Sequence, residues 1–203
     1  MPLFQELSTE NAKIYLWKYS EGENLDIHQL LEPENLEKIK NYPPKKVLET
    51  LMVRKILQEK LPQHKILYQD REPYLFPESF HISISHSFPY AVLAFSKAKI
   101  GVDIEPFSEK VVRLKDKFTQ KQEQDFIPQK EEMKYLTAIW SIKESLYKLH
   151  PSKYWSLKKH YEVYPFTEEN FHRIQCRVYD EHFSDAFSAR VSFFEDFVLS
   201  IVE

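Results

Sequence analysis

Glycine is almost missing from this chain: Gly22 and Gly101 are the only two in 203 residues. A phosphate-cradling P-loop and a dinucleotide fingerprint each need several glycines close together. Both are therefore excluded, and any nucleotide bound here has its phosphates held by side chains and metal. Cysteine is as scarce. With Cys176 alone there is no internal disulfide and no zinc cluster built on thiolates. No apolar run approaches the ~18 residues of a membrane span. The start, Met1 to Asn11, carries acids and lacks the apolar stretch of a secretory signal. A soluble, cytoplasmic protein is the expectation. Excess charge is missing too: the net charge is -3, which gives no general argument for nucleic-acid binding.

What is present is apolar and aromatic. The chain is 42% hydrophobic and 15% aromatic, enough for a packed core. Residues 12–18 alternate and predict a strand, 33–40 a short helix and 45–60 a longer one, with Val47, Leu51, Ile56 and Leu57 among its apolar positions. Ile82 and Ile84 alternate with Ser83 and Ser85 in a strand over 80–87; strands at 90–96 and 100–105 follow. Residues 108–127 read as helical, Thr119 with Gln122 fitting a capping box and Pro128 closing the segment. The longest helix is predicted over 131–149, stopped by Pro151, and the tail returns to strands at 162–164, 174–179, 187–194 and 198–202. This order predicts an α+β or mixed α/β fold in two halves.

Two short stretches carry the chemistry. In Ile100-Gly101-Val102-Asp103-Ile104-Glu105, strand geometry puts Gly101, Asp103 and Glu105 on one face and Val102 and Ile104 on the other. Gly101 would leave room for a ligand beside the two carboxylates. In Trp140-Ser141-Ile142-Lys143-Glu144-Ser145-Leu146-Tyr147-Lys148, Glu144 falls beside an apolar stripe of Met133, Leu136, Trp140 and Tyr147, with Lys148 one turn on. Three carboxylates and an ammonium suit a magnesium-bound diphosphate. Each part alone has a plainer explanation: a strand end with solvated acids, or a helix-surface pair worth about 0.3–0.5 kcal/mol. Lys143, which also faces the stripe, is not explained by an exposed pair. His86 is either a phosphate contact at a strand end, with Ser85 and Ser87 beside it, or a core histidine. Lys110, Arg113, Lys115, Lys117 and Lys121, against Glu109 and Asp116, form a basic stretch: a solvated helix face, or a dock for an acidic partner.

Taken together, these residues resemble the 4′-phosphopantetheinyl transferases of the larger, surfactin-synthetase-activating type. Ile84-Ser85-His86-Ser87 is similar to the family's N-I-S-H-S segment, 100–105 to its (I/V)-G-(I/V)-D-(I/V)-E strand, and 140–148 to its W-(S/T)-x-K-E-(A/S)-x-x-K helix. Phe118-Thr119 through Glu123 resembles its F-(S/T)-x-x-E stretch. The resemblance covers roughly residues 40 to 150. It implies two similar subdomains related by pseudo-twofold symmetry, placed here at 1–105 and 106–203, with coenzyme A in a cleft between them. It implies transfer of 4′-phosphopantetheine from coenzyme A to a serine of an apo acyl or peptidyl carrier protein, with release of adenosine 3′,5′-bisphosphate. By the same carry-over, Asp103, Glu105 and Glu144 hold Mg²⁺, Lys148 contacts the phosphate, Lys143 helps position it, and His86 with Ser85 takes the 3′-phosphate. Lys45 and Lys46 are further contacts to that phosphate, Arg54 matches an arginine of the same helix, and Glu123 is a recurring acid of the site. The base that takes the serine proton is Glu144, Glu123 or a water. A monomer is the state implied.

The sequence departs from the family at two places. The lysine often found before the histidine motif is Glu72, within Arg71-Glu72-Pro73, and its charge opposes a polyanion. The asparagine is Ser83, which still offers a hydroxyl. Glu72 motivates an alternative: a catalytically degenerate module that binds coenzyme A or a carrier without chemistry.

Overall fold

The computed structural model describes residues 4–203 and divides into two compact units, one ending at Ala98 and the other running from Lys99 to Glu203. Both are mixed α/β. The strand at 101–106 falls in the second unit, because its hydrogen-bonded neighbour is the last strand of the chain.

The first unit is built on a four-stranded antiparallel sheet of β1 (Phe4–Glu6), β2 (Ala12–Lys18), β6 (Tyr90–Ser96) and β5 (His81–Ser87), in the order β1-β2-β6-β5. Strand β6 is buried along all seven residues, as a central strand rich in Val, Leu and Ala requires. Two short helices, α1 (Ile27–Leu30) and α2 (Pro33–Ile39), lead to α3 (Pro44–Lys60). Helix α3 starts on a proline at its first position, where the missing N–H costs nothing. Its Met52, Val53, Ile56 and Leu57 pack on Tyr15 and Trp17 of β2 and on Leu93 and Phe95 of β6. A hairpin of β3 (Lys65–Gln69) and β4 (Glu72–Phe76) follows. Its two-residue turn, Asp70-Arg71, has positive φ at both positions, 50° and 71°. That is the backbone of the primed hairpin turn, normally given to Asn-Gly or Asp-Gly. With almost no glycine to spend, the chain puts an aspartate and an arginine there, and neither hairpin strand is foreseen in the sequence.

The second unit is a five-stranded antiparallel sheet in the order β7-β11-β10-β9-β8: β7 (Gly101–Pro106), β11 (Phe197–Val202), β10 (Ser184–Phe194), β9 (Ile174–Tyr179) and β8 (Tyr161–Val163). Its helices are α4 (Glu109–Phe118), α5 (Lys121–Asp125), α6 (Glu132–Leu149) and α7 (Leu157–His160). Helix α6 carries Leu136, Ile139, Ile142 and Leu146 into the core against Ile174, Val178, Val198 and Val202. The only cysteine, Cys176, is buried in this core, which pushes its thiol pKa up and makes it a packing residue. The segment over 108–127, read as helical, holds two helices. Helix α4 ends at Phe118, with Thr119 as its C-cap, and the capping box is Gln120 with Glu123 rather than Thr119 with Gln122. Among the described residues, no helix is long and apolar enough to cross a membrane.

Candidate active site

Strand β7 lies against α6 with the face that carries Gly101, Asp103 and Glu105. At Gly101 an added Cβ would stand 1.9 Å from the carbonyl oxygen of Ser145 and 3.2 Å from Cβ of Leu149. The space beside the carboxylates is thus filled by helix backbone, not reserved for a ligand, and glycine is there so that α6 can sit directly on the strand. Three buried serines fix the helix in register. Ser141 Oγ donates to the carbonyl of Asp103 at 3.1 Å, and Ser200 of β11 is 2.8 Å from Ser141 Oγ and 2.6 Å from Ser145 Oγ. Ser200 pairs directly with Asp103 across β7–β11, so this small polar seam lies beneath the acidic group.

Close packing brings β7 and α6 side chains together. Lys148 Nζ donates to Asp103 Oδ1 at 2.8 Å and to the carbonyl of Val102 at 2.9 Å. Trp140 Nε1 donates to Glu105 Oε1 at 3.2 Å. Burial, then Asp103, then Glu144 push the Glu105 carboxyl up to about 7, against the opposing effects of Trp140 and Lys148. The Glu144 carboxyl is raised as well, by burial first and the charge of Asp103 second, with Lys148 opposing. The three acids thus share one electrostatic neighbourhood. Among the described residues, no group of three or more His, Cys, Asp or Glu side chains stands arranged to hold a metal ion as it is. What fits a divalent cation is the donor set: hard carboxylate oxygens, those of Glu105 and Glu144 pushed up by burial and by the charge of Asp103, a cost that a cation relieves.

Glu123 and Lys143 are elsewhere. Their side chains are fully buried and face each other at 2.7 Å. Lys143 Nζ also donates to the carbonyls of Phe118 at 2.8 Å and Leu157 at 3.3 Å. Glu123 accepts from the backbone N–H groups of Gln120 at 2.7 Å and Val163 at 2.9 Å. Burial lowers the Lys143 pKa, and Glu123 opposes that shift. This corrects the expectation that both face a substrate. They tie the α4–α5 corner, α6, β8 and the loop before α7 together from inside. The apolar stripe is also redistributed: Tyr135, Leu136, Ile139, Ile142 and Leu146 form the core face, while Trp140 and Tyr147 are walls of a groove.

That groove is the open part of the unit. A hollow of about 430 Å³ is lined by Glu144, Tyr147, Trp155, Lys117, Leu114 and Trp140, among others. A second, of about 240 Å³, is lined by Glu105, Ser108 and Lys110 and shares Leu114, Phe118 and Trp140 with the first. Glu144 and Glu105 therefore face two hollows on one ridge of aromatic and aliphatic side chains. Trp155 stands 90% exposed on the wall. Neither Trp155 nor the serine seam carries a sequence signal, since both depend on contacts across long separations.

In the first unit, His86 is the penultimate residue of β5. Its Nδ1 is 3.0 Å from Glu49 Oε2, while Glu49 Oε1 accepts the backbone N–H of Phe88 at 2.9 Å. Glu49 is a buried acid that sequence reasoning missed, because nothing local links it to a histidine 37 positions away. Lys45 and Lys46 occupy the first turn of α3, over the rings of Phe88 and Tyr42 respectively. Ser85 is buried, on the opposite face of β5 from His86. Arg54 does not join this group. It lies buried further along α3, with its guanidinium over Tyr68, and lines a separate cavity. Glu72 opens β4 at the hairpin turn.

A sequence model of the 4′-phosphopantetheinyl transferase superfamily matches residues 99–202, the unit that holds the acidic group. Among curated proteins, the chain is 31% identical over 110 residues to the 4′-phosphopantetheinyl transferase gsp of Aneurinibacillus migulanus, covering 50% of this chain and 46% of that protein. It is 30% identical over 112 residues to psf-1 of Bacillus pumilus, covering 51% and 48%. It is 28% identical over 144 residues to Sfp of Bacillus subtilis, covering 64% of each. The chain thus spans about half the length of the first two relatives it matches. The matched half is the one in which β7, α6 and their acids come together, and on that ground the chain belongs to the 4′-phosphopantetheinyl transferase superfamily.

Proposed function

We propose that this chain transfers 4′-phosphopantetheine from coenzyme A to the serine of an apo acyl or peptidyl carrier protein. The observation that carries the reading is the grouping of Asp103, Glu105, Glu144 and Lys148 within the segment that matches the superfamily. In the reaction the serine oxygen bonds to the β-phosphorus, the bond from that phosphorus to the bridging oxygen breaks, and adenosine 3′,5′-bisphosphate leaves with the electron pair.

The residues divide that work. Asp103, Glu105 and Glu144 would hold Mg²⁺, which when bound supplies counter-charge to the diphosphate. Lys148, anchored by the Val102 carbonyl and Asp103, keeps a positive charge beside the same group. Of the two carboxylates considered as base, Glu123 is sealed and Glu144 lines the groove, so the serine proton goes to Glu144. In the first unit, His86 held by Glu49, with Lys45 and Lys46 on the positive end of α3, takes the 3′-phosphate.

The test is to incubate the protein with coenzyme A, Mg²⁺ and an apo carrier and to weigh the carrier intact. A phosphopantetheine-sized gain that EDTA abolishes is expected. Absence of a gain across acyl and peptidyl carriers, with coenzyme A still bound, would replace the transferase with the degenerate binder.

A further inference from the structure

The first unit holds a cavity that the proposed transfer leaves unused. It measures about 410 Å³ and is bounded by α1, the C-terminal half of α3, the loop from Pro62 to His64 and the first residue of β3, Lys65. That size is within the range of small-molecule sites. Its residues include none of Lys45, Lys46, Ser85 or His86.

Arg54 makes the cavity unusual. The residue is only 4% exposed, yet its Nε is buried with no hydrogen-bond partner among the described residues. Its one described contact is the ring of Tyr68, 6.0 Å from the guanidinium carbon. A buried guanidinium nitrogen without an acceptor is costly, and the guanidinium's fork of N–H groups matches two oxygens of one anion. The same cavity contains a second orphan. His64 Nδ1 is buried without a partner, while its Nε2 is fixed 2.8 Å from Ser79 Oγ. Lys65 adds an exposed ammonium. Among the described residues, the one acid on the wall is Glu32, which is engaged by the side-chain amide of Asn35 at 2.9 Å.

We propose that this cavity binds a small organic phosphate monoester, its phosphate held by Arg54, His64 and Lys65. Nitrogen groups from three residues suit a tetrahedral dianion better than a planar carboxylate. The volume exceeds what a free phosphate ion fills, and the amides of Gln58 and Gln63 on the wall are donors and acceptors for hydroxyl groups.

The test titrates coenzyme-A-free, full-length protein with glucose 6-phosphate, inorganic phosphate and glucose. The readout is the ¹H–¹⁵N signal of the Arg54 Nε–H group, assigned by its loss in Arg54→Lys. Glucose 6-phosphate is expected to move that signal saturably, and glucose to leave it in place. Gln58→Glu places a negative charge on the wall without touching a buried group, and is expected to weaken the titration about tenfold or more. His86→Ala, in the other cluster, should leave it unchanged. An Arg54 signal that neither anion moves, or a shift lost in His86→Ala, would overturn the site. Inorganic phosphate binding as tightly as the ester would overturn the assignment to an ester.

Discussion

Two lysines leave α6 five residues apart, about 140° around the helix, and each meets a carboxylate at nearly the same distance. Lys143 and Glu123 are both 0% exposed; Lys148 and Asp103 are 27% and 6% exposed. Burial alone separates their roles. Around the sealed pair every described contact is internal, two carbonyls and two backbone N–H groups. Around the open pair the neighbours are acids raised above their usual range, and a groove begins at Glu144. One nine-residue motif thus contributes both to the candidate site, through Glu144 and Lys148, and to its foundation, through Lys143.

The comparison predicts opposite phenotypes. Asp103→Ala, Glu144→Ala or Lys148→Ala is expected to cut carrier modification by about 10²–10³-fold or more with little change in urea midpoint. Full activity in all three would remove the site from this ridge. Lys143→Met is expected to do the reverse: to cost about 3–5 kcal/mol in urea unfolding, by leaving Glu123 charged and unpaired, while each folded molecule keeps its turnover. The double variant Lys143→Met, Glu123→Leu should recover part of that loss. Recovery stays incomplete because the N–H groups of Gln120 and Val163 lose their acceptor.

Glu105 sharpens the contrast through pH. In the fold its carboxyl ionises near pH 7, against 4.5 ordinarily. Between those values the native state holds a proton that the unfolded chain has released, so stability falls as pH rises through this window and stays lower above it. The loss is about 3 kcal/mol. Metal-free Glu105→Gln is therefore expected to be more stable than the parent at pH 8 and similar to it near pH 4.5, as read by urea unfolding in chelator. A difference independent of pH would contradict this origin.

Much of this was legible in the sequence, and the failures share a cause. Strands β2, β5 and β6 and helices α3 and α6 follow from alternation and from proline stops. Asp103, Glu105, Glu144 and Lys148 stand out in the sequence because their spacing along one strand and one helix is local, and the fold brings them together. Glu123 and Lys143 were misplaced because spacing does not say which flank of a nearly all-buried helix opens to solvent. Gly101 was misread because its neighbour, the Ser145 carbonyl, comes from 44 residues away. The hairpin turn was missed because Asp-Arg stands where the usual signal is Asn-Gly.

The smallest effect concerns the basic residues of α4, and burial separates these as well. Lys115 is already taken: its Nζ is 2.7 Å from Glu132, and that bond raises its pKa. Lys117 is exposed and lines the groove that begins at Glu144. If an acidic carrier helix approaches along this groove, the charge that counts is the one not already neutralised within the chain. Lys117→Glu is then expected to raise the carrier KM several-fold, with a larger effect at low salt and kcat preserved. Lys115→Glu should cost mainly its ion pair, about 0–1 kcal/mol of stability, and change the carrier KM less. Equal effects of the two reversals would mean that the carrier senses the net charge of α4 and not the groove, and would break the link between docking and the open face of α6.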